Sequence, residues 1–280
     1  MAARVRTVKR GAPIAACATL LFGQAALASA DLTRGVRIMN PPIEAPGPVP
    51  PDKMPPLPVE TCANGAPMKK PGGPPIRIAA SDGLAARFNG MAPLESPFEV
   101  VAPTQQPDVT WDAGTRDVTA AGDVIAHDIN SSDLPQVVDR MAAIRAIKQM
   151  SSQAPLLVKL IPDLKVHGRG ATVDLTIDDV QGRALIVLNL AGDGTVQTLY
   201  PGANEPQIHE TAQYRQKLVV RSPFGSDQLV AISAPQAVTD FEQALKMFNE
   251  QRASGKLAKL LSCLGATGIR IGSVAFNTAP

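Results

Sequence analysis

Aromatic residues are scarce in this chain of 280 residues, at 4%, with one Trp and two Tyr among them. Glycan-binding surfaces stack several aromatic faces on sugar rings, and Trp111, Tyr200 and Tyr214 are too few to build one; Trp111 reads first as a core residue. Histidine is as rare. His127, His167 and His209 lie far apart, with no H-x-x-x-H or C-x-x-C spacing, so no metal site is assigned. Asp178-Asp179 and Asp193 fall in turns, without the alternating oxygens over about a dozen residues that a calcium loop needs. There is no G-x-S-x-G elbow to anchor a hydrolase triad. Neither Gly168-Arg169-Gly170 nor Gly192-Asp193-Gly194 ends in the Lys-Ser/Thr of a phosphate loop, and no cofactor is implied. No dense Lys/Arg block interleaved with aromatics occurs, so nucleic-acid binding has no footprint.

What is present begins with an export signal over residues 1–30. Arg4, Arg6, Lys9 and Arg10 precede an apolar stretch from Ile14 to Leu27 that ends in Ala28-Ser29-Ala30. This is the order of a cleavable secretory signal, with the cut between Ala30 and Asp31. The stretch is too short and too broken to span a membrane, so no span is expected once the signal is removed. The competing reading is a lipobox, Ile14-Ala15-Ala16-Cys17, with Cys17 lipidated. Only six residues separate Arg10 from Cys17, which is short for such an apolar segment. Removing the signal takes four of the 27 basic residues and no acid, leaving 23 against 25 and a formal charge of −2. The basic balance of the whole chain therefore belongs to the signal.

Residues 31–75 read as a proline-rich, disordered linker. Thirteen of the 26 prolines lie between Pro41 and Pro75, and such a segment cannot bury enough apolar surface to offset its chain entropy. Two cysteines remain past the signal, Cys62 and Cys263. An even pair in an oxidising compartment invites a disulfide. The alternative is that Cys263, in the apolar run Leu260-Leu261-Ser262-Cys263-Leu264, is a buried thiol.

Residues 76–110 read as an irregular N-terminal segment with one short strand at most. Residues 111–280 read as a β-rich domain, introduced by strands around Val109–Trp111 and Val124–Ile129. A helix follows, with Asp133 as cap, Gln136 completing an approximate capping box and Pro135 in the first turn. Val137, Met141, Ile144 and Ile147 form its apolar stripe, with Arg140, Arg145 and Lys148 pointing outward. Leu156–Ile161 is an apolar run. Ala171–Asp178 alternates cleanly, as a half-buried strand does. Ala184–Leu190 is a central strand, and Gly192-Asp193-Gly194 turns it into Thr195–Tyr200. Arg215–Arg221 and Gln228–Ser233 add two more strands. Helical segments around Phe241 and Leu260 and a last strand, Gly268–Phe276, complete the chain. The fold class expected is α+β: an antiparallel β-sheet or β-sandwich core with helices packed on one side, preceded by a signal peptide and a Pro-rich linker.

The segment from Leu188 to Pro201, LNLAGDGTVQTLYP, resembles an uncharacterised accessory domain of bacterial exported proteins. In that family a strand, a D-G turn and a second strand end in an LYP or LFP signature, and a later Gly-containing turn leads to a strand similar to Gln228–Ser233. The resemblance covers Trp111 to Pro280 and is strongest from Ala184 to Ala234. The domain often follows a caspase-like peptidase domain or stands alone behind a signal peptide. The resemblance implies a non-catalytic envelope module with an envelope protein, such as a caspase-like peptidase, as partner. It carries no functional residue over.

The association raises the peptidase chemistry itself. His167-Gly168 and Cys263 occur in the order of a caspase-like base and nucleophile. No Asp lies just before Cys263, however, and the pair stands 96 positions apart, against about 50 in that pattern. The leading expectation is an exported, non-enzymatic accessory or protein-binding module. The alternatives are a degenerate cysteine hydrolase using His167 and Cys263, and a structural or cell-wall-binding envelope protein.

Overall fold

In a computed structural model of the chain, the described residues are 36–38, 62, 67–69, 72–80, 96–202, 204–264 and 268–280. The segment read as an export signal, the cut expected between Ala30 and Asp31, Cys17 and most of the proline-rich stretch lie outside them.

The segment read as linker contributes β1 (Val36–Ile38), a short strand of two β-branched residues that precedes the first proline of the stretch. The segment read as irregular contains β2 (Ile76–Ala80) and β3 (Phe98–Val100). Together with β4 (Val109–Trp111), β5 (Val118–Ala120) and β6 (Asp123–Ala126) they form a five-stranded sheet, in the order β3-β2-β4-β5-β6. β2 runs parallel to both its neighbours. The segment expected to be irregular thus holds two strands, and β4 forms where a strand was expected, around Val109–Trp111.

Helix α1 (Leu134–Gln153) follows, with Pro135 in its first turn. The capping box does not form. The Asp133 side chain makes no cap bond to the helix; its carboxylate accepts instead from Asn130 and Arg252. The helix ends before Pro155: the Ile271 N–H donates to Ala154 O and the Leu156 N–H to Ile271 O, both at 3.0 Å.

The remaining elements are β7 (Val158–Ile161), β8 (His167–Gly168), β9 (Thr172–Asp178), β10 (Arg183–Leu190), β11 (Thr195–Tyr200), β12 (Ile208–His209), β13 (Gln213–Val220) and β14 (Gly225–Ala234). Then come α2 (Thr239–Met247), β15 (Gln251–Arg252), α3 (Ser254–Leu261) and β16 (Arg270–Ala279). A seven-stranded sheet runs β15-β11-β10-β14-β16-β8, with β12 also on β10. A four-stranded sheet runs β1-β13-β9-β7. Every pairing in these two sheets is antiparallel except that of β8 with β16.

Strand alternation explains the layering. Ile186, Leu188 and Leu190 of β10 pack with Val230 and Ile232 of β14 under the helices. Leu185 and Val187, one residue out of phase, pack with Leu229 against Val173, Leu175 and Ile177 of the four-stranded sheet. The result is α+β: helices on one face of the large sheet and a β-sandwich on the other. Each fully buried Leu or Ile here contributes about 1.5–3 kcal/mol. The five-stranded sheet has its own core, closed by Leu134, Val137, Val138 and Ala142 of α1. Ala143, Ile144 and Ile147 of the same helix belong to the sandwich core. α1 is thus covered on two sides, and Arg140, expected outside, is buried.

Cys62 and Cys263 are joined by a disulfide, with their Cα atoms 5.4 Å apart, closing a loop of 201 residues. Close by, the Lys69 N–H donates to Ser262 Oγ at 3.0 Å. Cross-linking positions so distant restricts the unfolded chain strongly. Replacing both cysteines by serine is expected to lower stability by about 2–5 kcal/mol. Urea unfolding of the oxidised protein against the double variant measures this; coincident transitions would contradict it.

Candidate functional site

The motif that suggested a family, Gly192-Asp193-Gly194, joins β10 to β11 and sits where three elements meet. A Cβ on Gly192 would fall 1.9 Å from the carbonyl oxygen of Ile125 in β6. A Cβ on Gly194 would fall 2.8 Å from Gln136 O in α1 and 2.9 Å from Ser254 Oγ in α3. Ser254 Oγ also donates to Gln136 O at 3.1 Å, and the Ala253 N–H donates to Gly194 O at 3.1 Å. Only a turn stripped of side chains admits this approach.

Asp193, between the two glycines, is buried. One carboxylate oxygen accepts from the Thr195 N–H at 3.1 Å and the other from Arg252 Nε at 2.9 Å. Arg252 also donates to Asp133 at 2.5 Å. The D-G turn, β15 and the start of α1 are therefore tied by one guanidinium bridging two carboxylates. Further along α1, Arg140 donates to Ser226 O at 2.5 Å. Burial lowers its pKa to about 10, and the nearby Asp227 carboxylate acts in the opposite sense. Asp227 is itself buried and accepts from Asn189 Nδ2 at 2.9 Å. On the same helix Asp139 accepts from the Ser96 N–H at 2.9 Å. Asp139, Arg140, Asp193 and Asp227 are thus buried charged residues that bond to neighbouring elements. Their bonds run to backbone and side chains of other elements and dock those elements together, while Arg140 Nε and Asn189 Oδ1 have no hydrogen-bond partner among the described residues.

Asn189, Asp227 and Arg252 are assigned no role in the sequence reading, and Arg140 enters it only as an outward-facing helix residue. A signal existed: Asn189 interrupts the run Ala184–Leu190, and a polar side chain in a central strand demands a partner.

The residues that were singled out are placed apart. Cys263 is held in its disulfide, and a disulfide sulfur has no thiolate with which to attack. His167 is buried with its ring on Phe276, centroids 5.1 Å apart, and neither ring nitrogen has a hydrogen-bond partner among the described residues. The cysteine hydrolase alternative is left with a blocked nucleophile and a base sealed in apolar contact. Burial lowers the His167 pKa, with Asp163 opposing it. The folded imidazole thus binds its proton less readily than the unfolded one. Stability is whole above the unfolded value of about 6.5 and falls as pH drops below it. His167→Phe is expected to flatten that decline. Urea midpoints at pH 7.5 and 5.5 test it, and an unchanged acid loss in the variant would refute it.

Trp111 is a core residue; its Nε1 donates to Ile129 O at 2.9 Å. Tyr200, His209 and Tyr214 form a cluster with centroids 5.0 to 6.0 Å apart. Tyr200 Oη donates to Pro206 O at 2.6 Å and anchors the loop after the LYP signature. Burial first, then neighbouring Glu205, raises the pKa of both tyrosines, so both phenols stay protonated at neutral pH. His127 Nδ1 lies 2.8 Å from Asp117. Among the described residues no three His, Cys, Asp or Glu side chains converge as metal ligands.

Comparison with protein-family models, curated proteins and solved structures finds no match to the chain. The Cys62–Cys263 bond is of the kind made in an oxidising compartment. No helix among the described residues is long and apolar enough to cross a membrane, which does not bear on spanning by strands.

Proposed function

We propose that the chain is an exported, non-catalytic accessory module that binds another protein of the bacterial envelope, periplasmic or secreted. The Cys62–Cys263 disulfide carries this reading. It supports an oxidising compartment, and it occupies the cysteine that the sequence put forward as a nucleophile. The signal over residues 1–30 and the proline-rich stretch up to Pro75 support export and a tethered body. The resemblance centred on Gly192-Asp193-Gly194 and Tyr200-Pro201 supports a caspase-like peptidase as the partner class.

Two measurements test the proposal. Mass spectrometry of the mature protein is expected to find Asp31 at its N-terminus; an acylated Cys17 would replace export in free form with a lipid anchor. The oxidised mature chain, used as bait in envelope extracts, is expected to retain a reproducible protein partner. Failure to retain one, together with measured turnover of a substrate lost in Cys263→Ala, would overturn the reading in favour of a hydrolase.

A further inference from the structure

Six large hydrophobic side chains are exposed among the described residues, and four come from one stretch: Leu157, Ile161, Leu164 and Val166, each about half exposed. A fifth, Val124, adjoins Asp123, whose carboxylate meets Lys165 Nζ at 3.6 Å. Single exposed apolar residues are ordinary, but a collection at one sheet edge marks a surface that gains by being covered.

β7 pairs with β9 on one side. On the other side β16 meets only its approach, where the Leu156 N–H donates to Ile271 O at 3.0 Å; from Val158 to Ile161 no strand pairs with that edge among the described residues. The Asp178 N–H donates to Leu157 O at 3.3 Å. Alternate residues of an antiparallel strand bond to the partner. Leu157, Lys159 and Ile161 therefore direct their backbone groups to β9, while Val158 and Leu160 direct theirs outward. The side chains of Leu157, Lys159 and Ile161 share the solvent face, whereas that of Leu160 is buried. Lys159 keeps a loose 3.6 Å contact with Asp178 and is half exposed, so its ammonium retains donors for a second carboxylate.

We propose that the outer edge of β7 is a strand-addition site for an extended segment of a partner protein, one in which an acidic residue is flanked two positions away on each side by large apolar residues. The N–H and C=O groups of Val158 and Leu160, which have no backbone partner on that side among the described residues, select an extended chain. Leu157 and Ile161 select its apolar positions, and Lys159 between them selects the acid. A second copy of this chain fits less well. The self-paired register that uses both outward-facing residues sets Val158 opposite Leu160 and brings the two copies of Lys159 face to face on the symmetry axis. Like charges directly opposite are destabilising, and edge lysines guard against such pairing. This inference deepens the binding-module reading and rests on it.

The test uses the disulfide-intact protein and two synthetic peptides, acetyl-TVTETVT-amide and acetyl-TVTKTVT-amide, followed by amide NMR. The glutamate peptide is expected to slow exchange of the Val158 and Leu160 N–H groups and to bind about tenfold more tightly than the lysine peptide, the difference of about 1.4 kcal/mol that an attractive against a repulsive cross-strand pair supplies. Lys159→Glu, an exposed substitution, is expected to reverse the order. Unprotected amides with both peptides would overturn the proposal, as would equal binding unaffected by the charge reversal. Protection of the same amides that grows with protein concentration alone would overturn the choice of a partner strand over a second copy. If both peptides fail while the bait still retains an envelope partner, the binding-module reading stands and only this site falls.

Discussion

Gly192→Ala is expected to destabilise the protein by roughly 4 kcal/mol or more, at the extreme of what one methyl group does. The added Cβ would lie 1.9 Å from Ile125 O and 3.0 Å from Ile125 C. Both are backbone atoms, so no rotamer change relieves the clash. Either the hairpin turn withdraws from β6 or β6 shifts, and with it the docking of the five-stranded sheet on the sandwich. Gly182→Ala is the control. Gly182 has φ +68 but open space around its would-be Cβ, so the substitution costs only left-handed strain, roughly 1–2 kcal/mol. Urea unfolding of the two variants separates steric exclusion from backbone strain. Equal midpoints would show that the close approach at Gly192 does not hold in solution.

The second large effect is expected at Arg140. Arg140→Met removes the cation beside Asp227 and the donor to Ser226 O, leaving a buried carboxylate. Breaking a buried pair from one side costs about 3–5 kcal/mol, whereas replacing both partners costs far less. Asp227→Leu alone is expected to be comparably harmful, because Arg140 loses its counter-charge and Asn189 its acceptor. The double variant Arg140→Met with Asp227→Leu is expected to be markedly more stable than the sum of the two losses. A double-mutant cycle read by denaturant unfolding checks this; strict additivity would mean that the two groups do not interact.

The parts of the fold legible in the sequence are those whose signal is local. Thr172–Asp178 alternates within seven residues, and Gly192-Asp193-Gly194 announces its own turn. The β2 and β3 strands were illegible because their pairing is parallel and joins short segments about 20 residues apart, where periodicity has too few residues to register. Arg140 was misread for a related reason. A helical stripe reports one buried face, but α1 is covered by two separate cores, and of the sheet in the second only the strands near Val109–Trp111 and Val124–Ile129 are legible in the sequence. Asp133 looked like a cap because its partner, Arg252, lies 119 positions away. The pairing of Cys62 with Cys263 was among the alternatives only because an even count of cysteines is visible without geometry. The docking cluster was not foreseeable as a cluster: Arg140, Asn189, Asp227 and Arg252 come from four elements, and nothing in their spacing unites them.

The place of β16 in the seven-stranded sheet sets an order of events. It is the last of the described elements to emerge during synthesis, yet it lies between β14 and β8 and aligns with β14 over nine residue pairs, from Gly225 opposite Thr278 to Ser233 opposite Arg270. Until those residues leave the ribosome, β14 keeps an open flank and Phe276 is missing from the sandwich core. A nascent chain of this topology stays unfinished until β16 has been made, and so remains threadable up to that point.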